Sequence, residues 1–448
     1  MDRAKAREII NTWMFPTEKK SYMGGLEDRP ILAKSAGVMV TDTEGKEYLD
    51  FQSGQMGAAL GHQHPRIVKR ITDTLKQLMH ASNAMLNVPR LRLHERLGKV
   101  LPKPLQKSLF LVSGSDSIEG AVDLARKATG GLDILGFHTG LHGSTSYLTR
   151  SLSFAWSRNK HSIVAPATSA ILTPHCYRCP LGLSFPGCKT QCLKTSFELA
   201  DANFTSRPAA FIGEPVLSAG GVIVPPPGYF KALRTELDRR GMLMIFDESQ
   251  TGLGKTGKLF GFQHEDVTPD IMTLSKHFGG GLPISAVCTT PEIAERAVKA
   301  GYFATRSHAT DPLLCAAGEE SIDIVVDEDM AGKAARIEKR IKAALAEMAS
   351  EFELIGDIRG RGVLLGIEFV TDREKKTPAN AEVGKIASYC LEHGLIFQLR
   401  GTQGDLNVIR LVPPMITTDV EVDRAMSILR DGIAMVSRTR RPVSRAAE

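Results

Sequence analysis

The sequence lacks any long uncharged hydrophobic run. Residues 1–15, MDRAKAREIINTWMF, carry charges on both sides of a short apolar patch, so we expect neither a secretory signal peptide nor a transmembrane helix. Low-complexity tracts and internal repeats are also lacking, as in an ordinary globular protein. The formal net charge of +6 is spread along most of the chain, which does not favour a nucleic-acid partner. We predict a globular cytoplasmic protein with no membrane and no nucleic-acid partner.

Cysteine is scarce outside one segment. Three of the seven cysteines stand alone in the sequence: Cys288, Cys315 and Cys390. This scatter favours a reducing compartment over a disulfide framework. The other four share a C-x2-C-x8-C-x3-C spacing: Cys176, Cys179, Cys188 and Cys192. Such a spacing suits a structural zinc ion or an iron–sulfur cluster, but also a pair of disulfides or free thiols at a partner contact. We therefore predict no required metal and keep these four cysteines as a secondary metal-site hypothesis.

The middle of the chain has the pattern of an α/β protein. Apolar runs that end in Gly or polar residues, such as SLFLVSG and MLMIFDE, alternate with amphipathic stretches such as YFKALRTELDRRG. This alternation predicts a mostly parallel sheet wrapped by helices. After residue 327, a long helical pattern and alternating strands predict an α+β unit, which strand-like segments near the N-terminus would complete. We predict a large domain from residues 61–326 and a smaller one from residues 1–60 and 327–448.

Two candidate catalytic residues follow apolar runs. Asp247 ends MLMIFD and Lys276 follows IMTLS, 29 residues later. This separation is about one strand–helix–strand crossover of roughly 30 residues. Both side chains would then emerge at the carboxyl edge of the sheet, where α/β proteins bind ligands. A lysine before glycines is by itself also typical of a solvated loop, so the pairing with Asp247 matters.

A candidate phosphate site lies between the strand KSLFLV and the next helix. Ser113, Gly114 and Ser115 would present hydroxyls, backbone N–H groups and the positive end of a helix dipole. An ordinary helix N-cap is the alternative interpretation of the same residues. No Gly-x-Gly-x-x-Gly follows the first strand, which disfavours a dinucleotide. An amine, a carboxylate and a phosphate cradle together predict pyridoxal 5′-phosphate (PLP) as the cofactor.

Three further polar residues are candidates for the same site. Gln250 follows Asp247 by three residues and would hydrogen-bond the phenolic oxygen of the cofactor. Arg410, between apolar neighbours in NVIRLVPP, needs an anion; this is either a substrate carboxylate or an internal salt-bridge partner. Glu214 ends the apolar strand AAFIGE and is either a substrate-site group or the partner of a basic residue.

An ordered set of motifs resembles the class-III aminotransferases of PLP fold type I. The set includes VSGSDSIEGA, GEPVLSAGG, DESQTGLGKTG, TLSKHFGGGLP and IRLVPP, and it runs through most of the chain. Within this family, SGQM most resembles the 2,2-dialkylglycine decarboxylases. The resemblance implies that Lys276 forms the internal aldimine, that Asp247 pairs with the pyridine nitrogen and that Gln250 contacts the ring hydroxyl.

The resemblance also implies roles for residues that composition and spacing do not identify. Cofactor contacts would come from Ser113, Gly114, Ser115, Leu141, His142 and, across the interface of a homodimer or dimer of dimers, Ser307. Substrate contacts would come from Arg410, Glu214 and Gln55, with Gln55 near the carboxylate that is lost or the Cα substituent. Leu141 stands where the family usually has an aromatic residue, and Lys255 stands where it usually has arginine.

The implied reaction is transfer of an amino group from an amino acid or amine to a 2-oxo acid through Lys276. One alternative is decarboxylation-dependent transamination of a 2,2-dialkylglycine, which Gln55 favours and Leu141 disfavours, because the decarboxylases have tryptophan there. Another is a PLP lyase or racemase on the same scaffold. The presence of both Lys276 and Asp247 argues against a non-catalytic binding module.

Overall fold

The structure is a computed structural model. It describes residues 1–18, 20–21, 24–26, 29–155, 164–401 and 405–439. The N-terminal part has short strands followed by helices: α1 (Arg3–Thr12), β1 (Lys20–Ser21), β2 (Gly24–Gly25), β3 (Leu32–Ala36), β4 (Met39–Asp42), β5 (Glu47–Asp50), α2 (Ser53–Met56), α3 (Pro65–Leu75) and α4 (Val88–Val100). Of these, α2 is a left-handed turn rather than a regular helix.

The middle of the chain builds the large sheet and its helices. The elements are β6 (Lys107–Leu111), α5 (Gly114–Thr129), β7 (Asp133–Phe137), α6 (Tyr147–Leu152), β8 (Thr168–Ile171), α7 (Gln191–Asn203), β9 (Pro208–Gly213), α8 (Tyr229–Arg240), β10 (Leu243–Asp247), β11 (Ile271–Leu274), β12 (Ser285–Thr289), α9 (Pro291–Lys299) and α10 (Pro312–Asp327). In the described chain the sheet has the order β6-β12-β11-β10-β9-β7-β8, and β12 alone runs against the others. The predicted mostly parallel sheet wrapped by helices is confirmed.

Both faces of this sheet are covered, which explains why its strands read as continuous apolar runs. In β10, Met244 and Phe246 face one core cluster, while Ile245 faces the other, together with Ile118 and Val122 of α5. Successive side chains of a strand point to opposite faces. In a strand that is buried on both sides, a polar residue is therefore expected at the end of the strand. β10 ends at Asp247.

The C-terminal part supplies the remaining strands and helices: α11 (Met330–Glu351), β13 (Ile355–Arg361), β14 (Leu364–Asp372), β15 (Thr377–Pro378), α12 (Asn380–Glu392), β16 (Leu395–Ile396), β17 (Gln398–Arg400), β18 (Val408–Leu411) and α13 (Asp419–Thr439). One small sheet has the order β13-β14-β18-β17, with β15 beside β14. In a second one, β16 pairs with β5, so strands from both ends of the chain share a sheet. The domain boundaries at residues 60 and 326 stay a prediction.

Within the described ranges, we find no helix with the length and apolar character needed to cross a bilayer.

Candidate active site

A cavity of about 560 Å³ opens at the carboxyl edge of the large sheet, facing β17 and β18 of the small sheet. Most of the predicted site residues line it: Gln55, Ser113, Gly114, Ser115, Leu141, Asp247, Gln250, Lys276 and Arg410. His142 and Glu214 are buried and contact residues of its wall. Ser307 lies on the exposed surface of the chain. The structure thus brings Lys276 and Asp247 into one cleft.

Asp247 is held as an oriented anion. Its Oδ1 accepts hydrogen bonds from the backbone N–H of Ser249 (3.1 Å) and the hydroxyl of Thr273 (3.2 Å). Its Oδ2 lies 3.0 Å from His142 Nδ1, and this nitrogen must carry the hydrogen because a carboxylate only accepts. Burial raises the pKa of Asp247, but the bonds from His142 and Ser249 outweigh burial, so that its pKa is below the ordinary value. A fixed carboxylate of this kind suits a pyridine nitrogen that must stay protonated.

Lys276 sits in a strained backbone position beside Asp247. It begins a 3₁₀ helix, Lys276–Gly279, and its φ of +58° lies in the left-handed region that non-glycine residues rarely adopt. Such strain persists where the surrounding structure imposes it, and it clusters at functional sites. Burial in the cleft lowers the pKa of Lys276, and Arg410 lowers it further. The amine is therefore more easily deprotonated than an ordinary lysine.

The N-terminus of α5 forms the cradle predicted for a phosphate. Ser113 is the N-cap: its Oγ accepts from the N–H of Asp116 (3.1 Å), and the Asp116 carboxylate accepts from the N–H of Ser113 (2.9 Å). Gly114 packs so tightly that a Cβ would lie 2.9 Å from Ser275 Oγ. Capping leaves the dipole and the N–H groups of the first turn available to an anion. The N-cap and phosphate interpretations are therefore compatible.

Arg410 reaches the cavity from β18 and is 3% exposed. Its Nη1 donates to Ser218 Oγ (2.7 Å) and to Gln250 Oε1 (3.2 Å). Both of these partners are neutral hydrogen-bond acceptors. The contacts orient the planar group towards the cavity, where a substrate carboxylate would meet it.

Glu214 holds two walls of the cavity together. Its Oε1 accepts from the backbone N–H of Leu141 (3.3 Å), and its Oε2 accepts from the backbone N–H of Ser218 (3.1 Å). Ser218 in turn accepts from Arg410. Burial raises the pKa of Glu214 to about 7. This geometry makes Glu214 a positioning residue, while its direct contact with substrate stays a prediction.

Gln55 enters the cavity from the left-handed turn Ser53–Met56, whose φ angles run from 49° to 71°. The turn is anchored by the N–H of Gly54, which donates to Asp50 Oδ2 (2.7 Å). Four successive residues in this region are costly, so packing and anchoring must impose the turn. It aims Gln55 at the cleft.

Two cavity residues were not singled out by the sequence. Gln398 and Arg400 lie two residues apart on β17, so their side chains share a face. Gln398 is directly opposite Arg410 in the pairing of β17 with β18, and Arg400 Nη2 donates to Gln398 Oε1 (3.1 Å). The cavity therefore contains two guanidinium groups. The sequence feature that indicates these two residues is the alternation of apolar and polar residues in FQLR, close to the strand NVIRL.

Comparison with known proteins identifies the family. The model of the family described as aminotransferase class-III matches residues 26–433. The chain belongs to the class-III aminotransferase family.

Individual relatives agree with this assignment. An uncharacterized aminotransferase of Schizosaccharomyces pombe is 35% identical to this class-III aminotransferase over 96% of both chains. The leucine/methionine racemase of Thermococcus litoralis is 34% identical over 92% of both. Among solved structures, a Bacillus anthracis aminotransferase superposes with a TM-score of 0.88 at 27% identity, covering 97% of this chain and 100% of that one.

Class-III aminotransferases depend on PLP, and the site of this one fits that cofactor. The fit rests on the Asp247 anion, the Lys276 amine and a helix N-terminus at Gly114 with no room for a side chain. The predicted family, cofactor and aminotransferase activity are confirmed. The particular resemblance to the 2,2-dialkylglycine decarboxylases and the role of each residue stay predictions.

Proposed function

We propose that this aminotransferase takes the amino group of an amino acid whose carboxylate binds Arg410, and passes it to a 2-oxo acid bound in the same position. The main observation in support of this proposal is that Lys276, Asp247 and Arg410 line one cavity. PLP supplies an electron sink for negative charge at the substrate Cα. Asp247 holds a proton on the pyridine nitrogen, the N-terminus of α5 at Ser113–Ser115 binds the phosphate, and Gln250 hydrogen-bonds the ring hydroxyl.

Lys276 is the residue that moves the proton of Cα. Its Nζ must be deprotonated to accept this proton, and its lowered pKa supports that role. Glu214 and Ser218 hold Arg410 while the substrate carboxylate is bound. Leu141 supplies an apolar wall where the family has an aromatic one.

A second carboxylate would meet Arg400. We propose that Arg400 makes this enzyme prefer dicarboxylic substrates to monocarboxylic ones. Its guanidinium lies on the same sheet face as Gln398, which is directly opposite Arg410 in the strand pairing. Arginine suits this task because its planar fork binds a carboxylate through two hydrogen bonds.

We further propose a cytoplasmic homodimer. The loop before α10 carries Ser307, and Asn83 Nδ2 donates to Thr305 Oγ1 (2.7 Å) in this loop. Large apolar side chains are exposed around it: Met79, Met85, Leu86, Val88 and Phe303. Exposed apolar groups of this size mark interaction surfaces. The seven free thiols fit a reducing compartment.

Racemisation is a second candidate, favoured by the 34% identity to the racemase of Thermococcus litoralis. It needs removal and return of the Cα proton, which Lys276 could perform on one face only. A second acid–base group would have to serve the opposite face, so chiral analysis separates the two reactions.

The test is a donor panel with the Lys276→Ala variant as control. With L-alanine, L-glutamate and 2-oxo acid acceptors, we expect stoichiometric formation of new amino and oxo acids, and a loss of about 10²- to 10⁴-fold in kcat for Lys276→Ala. Carbon dioxide from 2-aminoisobutyrate would instead support decarboxylation near Gln55. A D-amino acid formed without an acceptor would support racemisation. Undiminished turnover by Lys276→Ala would contradict the site assignment.

A further inference from the structure

The four-cysteine segment between β8 and α7 surrounds a small cavity of its own. Cys176 and Cys179 lie in the turns after β8, Cys188 lies in the turns before α7, and Cys192 is in the first turn of that helix. All four border one cavity of about 20 Å³ together with His175. The amino-group transfer chemistry uses none of these side chains.

The soft or neutral ligand groups that border this cavity are the four thiols and the imidazole, and most of its other lining residues are apolar. Within the described residues, no disulfide joins any of the four sulfurs. His175 is 7% exposed, and its Nε2 has no hydrogen-bond partner among the described groups. Buried polar nitrogens are normally paired, so an unpaired one beside four thiols points to a missing ligand.

We propose that Cys176, Cys179, Cys188 and Cys192 bind a thiophilic metal centre as thiolates, with His175 beside it. The C-x2-C pair followed by a second pair is the ligand pattern of zinc and iron–sulfur sites.

The sulfur spacing bears on which metal the site takes. Within the described chain, no three of these sulfurs lie within 4.8 Å of one another, whereas sulfurs around tetrahedral zinc with 2.3 Å bonds would be about 3.8 Å apart. Zinc would therefore require the side chains to move inwards. A [4Fe–4S] cluster bonds each thiolate to a different iron, so it accommodates wider spacing and is favoured.

The metal would fix a contact between this segment and the small sheet. Between the first two cysteines, Arg178 forms an ion pair with Glu368 of β14, and the carbonyl of Tyr177 accepts from Lys376 Nζ (2.6 Å). β14 pairs directly with β18, the strand of Arg410. The centre would thus hold the strand pair that presents the substrate-carboxylate site.

The test is the metal content of the full-length, PLP-bound protein purified anaerobically from cells supplied with iron and zinc. We expect about one zinc per chain, or about two to four irons per chain with an equal amount of acid-labile sulfide. Zinc alone identifies a mononuclear site, and iron with sulfide identifies a cluster; both support the proposal. Less than about 0.1 equivalent of any metal, with all four thiols reactive or joined in disulfides, would overturn it.

Cysteine variants locate the metal. We expect Cys176→Ser and Cys188→Ser, one from each pair, to contain at least about tenfold less metal. The control Cys390→Ala, which removes a buried thiol outside this segment, should keep the metal. If the serine variants fail to fold, titration of the wild-type protein with a mercurial reagent replaces them: metal release in proportion to the thiols modified is expected. Retention of metal after complete modification, or in both serine variants, contradicts the assignment.

Kinetics test the link to the small sheet. Removal of the metal should raise the KM for an amino acid by about tenfold or more, and leave that for an amine without a carboxylate nearly unchanged. An equal rise for both substrates would show that the centre does not act through Arg410.

Discussion

Two arginines line the cavity of Lys276, and we expect them to determine which substrates can be held beside this lysine. Arg410 is fixed by Ser218 and Gln250, and Arg400 is fixed by Gln398. Their charges oppose protonation of Lys276 until a substrate anion arrives. Substrate binding should therefore raise the pKa of this amine, because each carboxylate offsets one of the cations.

Replacement of Arg400 by Gln should reduce kcat/KM for dicarboxylic substrates by about 10- to 100-fold. Monocarboxylic substrates should change much less, because they need only Arg410. Arg373→Gln is the control. Arg373 is exposed, directly follows β14 and donates to the backbone carbonyls of Ala349 and Glu353. Steady-state kinetics with glutamate and alanine measure the difference. Equal losses for both substrates would remove Arg400 from substrate recognition.

Glu214 should make the stability of the protein depend on pH. Burial raises its folded pKa from 4.5 to about 7, so the folded state binds this proton more tightly than the unfolded state. Its contribution is complete below pH 4.5 and is lost as the pH rises through about 7. From 1.36 kcal/mol per pKa unit, the loss is about 3 kcal/mol.

The Glu214→Gln variant should lack this dependence because the amide does not ionise. Urea unfolding of both proteins at several values between pH 4.5 and 8 measures it: the free energy of unfolding of the wild type should fall relative to that of the variant across this window. Parallel curves would show that Glu214 is not the titrating group.

Residues at the ends of apolar runs could be predicted, whereas residues whose role depends on tertiary contacts could not. Asp247 ends β10, and Lys276 follows the end of β11 by two residues. Both strands are buried on both faces, where a polar side chain has no place except the sheet edge. Arg400 is the last residue of the short strand β17, and only the pairing of β17 with β18 shows which face it occupies. The position of Glu214 was predicted, but not that it would bond to Leu141.

At the scale of elements, the N-terminus of α5 is the feature on which cofactor affinity depends. The capping box of Ser113 and Asp116 fixes the first turn, and Gly114 lets it approach Ser275. A side chain here would displace the hydroxyl of Ser275, the residue directly before Lys276. The turn thus couples the phosphate site to the amine.

Gly114→Ala should weaken PLP binding by at least about tenfold, because its Cβ would lie 2.9 Å from Ser275 Oγ. Gly98→Ala in α4 is the matched control: nothing lies within 4 Å of its new Cβ, and alanine favours a helix over glycine by about 1 kcal/mol. Titration of the cofactor-free variants with PLP gives both affinities. Unchanged affinity in Gly114→Ala would argue against this cradle.

The elements themselves differ in how far the sequence determines them. The α/β alternation predicts the large sheet because burial on both faces demands long apolar runs. The turn Ser53–Met56 has no such signal, since its left-handed angles depend on anchoring to Asp50. Its conformation could not be predicted, although the presence of Gln55 at the site was.

At the scale of the whole molecule, a single chain does not contain every residue of the active site that we propose, because Ser307 would come from the partner subunit. Strands from both ends of the chain meet where β16 pairs with β5, and β17 and β18 of the other small sheet line one side of the cavity. Exposed apolar side chains at Met85 and Phe303 surround the loop of Ser307, and the exposed Ser307 is not among the residues that line the cavity of its own chain. The sequence predicted this loop only through the family resemblance, because exposure in an assembly is not encoded locally.

If Ser307 completes the site of its partner, two inactive variants should restore each other. Lys276→Ala lacks the amine, and Ser307→Asp places a negative charge where the partner's phosphate would bind. In a mixed dimer, one site receives both substitutions and the other receives neither. Unfolded and refolded together in equal amounts, the pair should recover about a quarter of the wild-type activity per chain, since half of the dimers are mixed and one of two sites in each is intact.

The same mixture distinguishes this arrangement from one in which Ser307 serves the site of its own chain. If Ser307 served its own chain, each site of the mixed dimer would contain one substitution, and no activity would return. Sedimentation of the mixture, which must show dimers, separates that outcome from failure to associate. The control is Ser307→Asp refolded alone, which should remain inactive, since every site then meets the added charge. Recovery of activity therefore requires that the loop of one subunit reach the cofactor of the other.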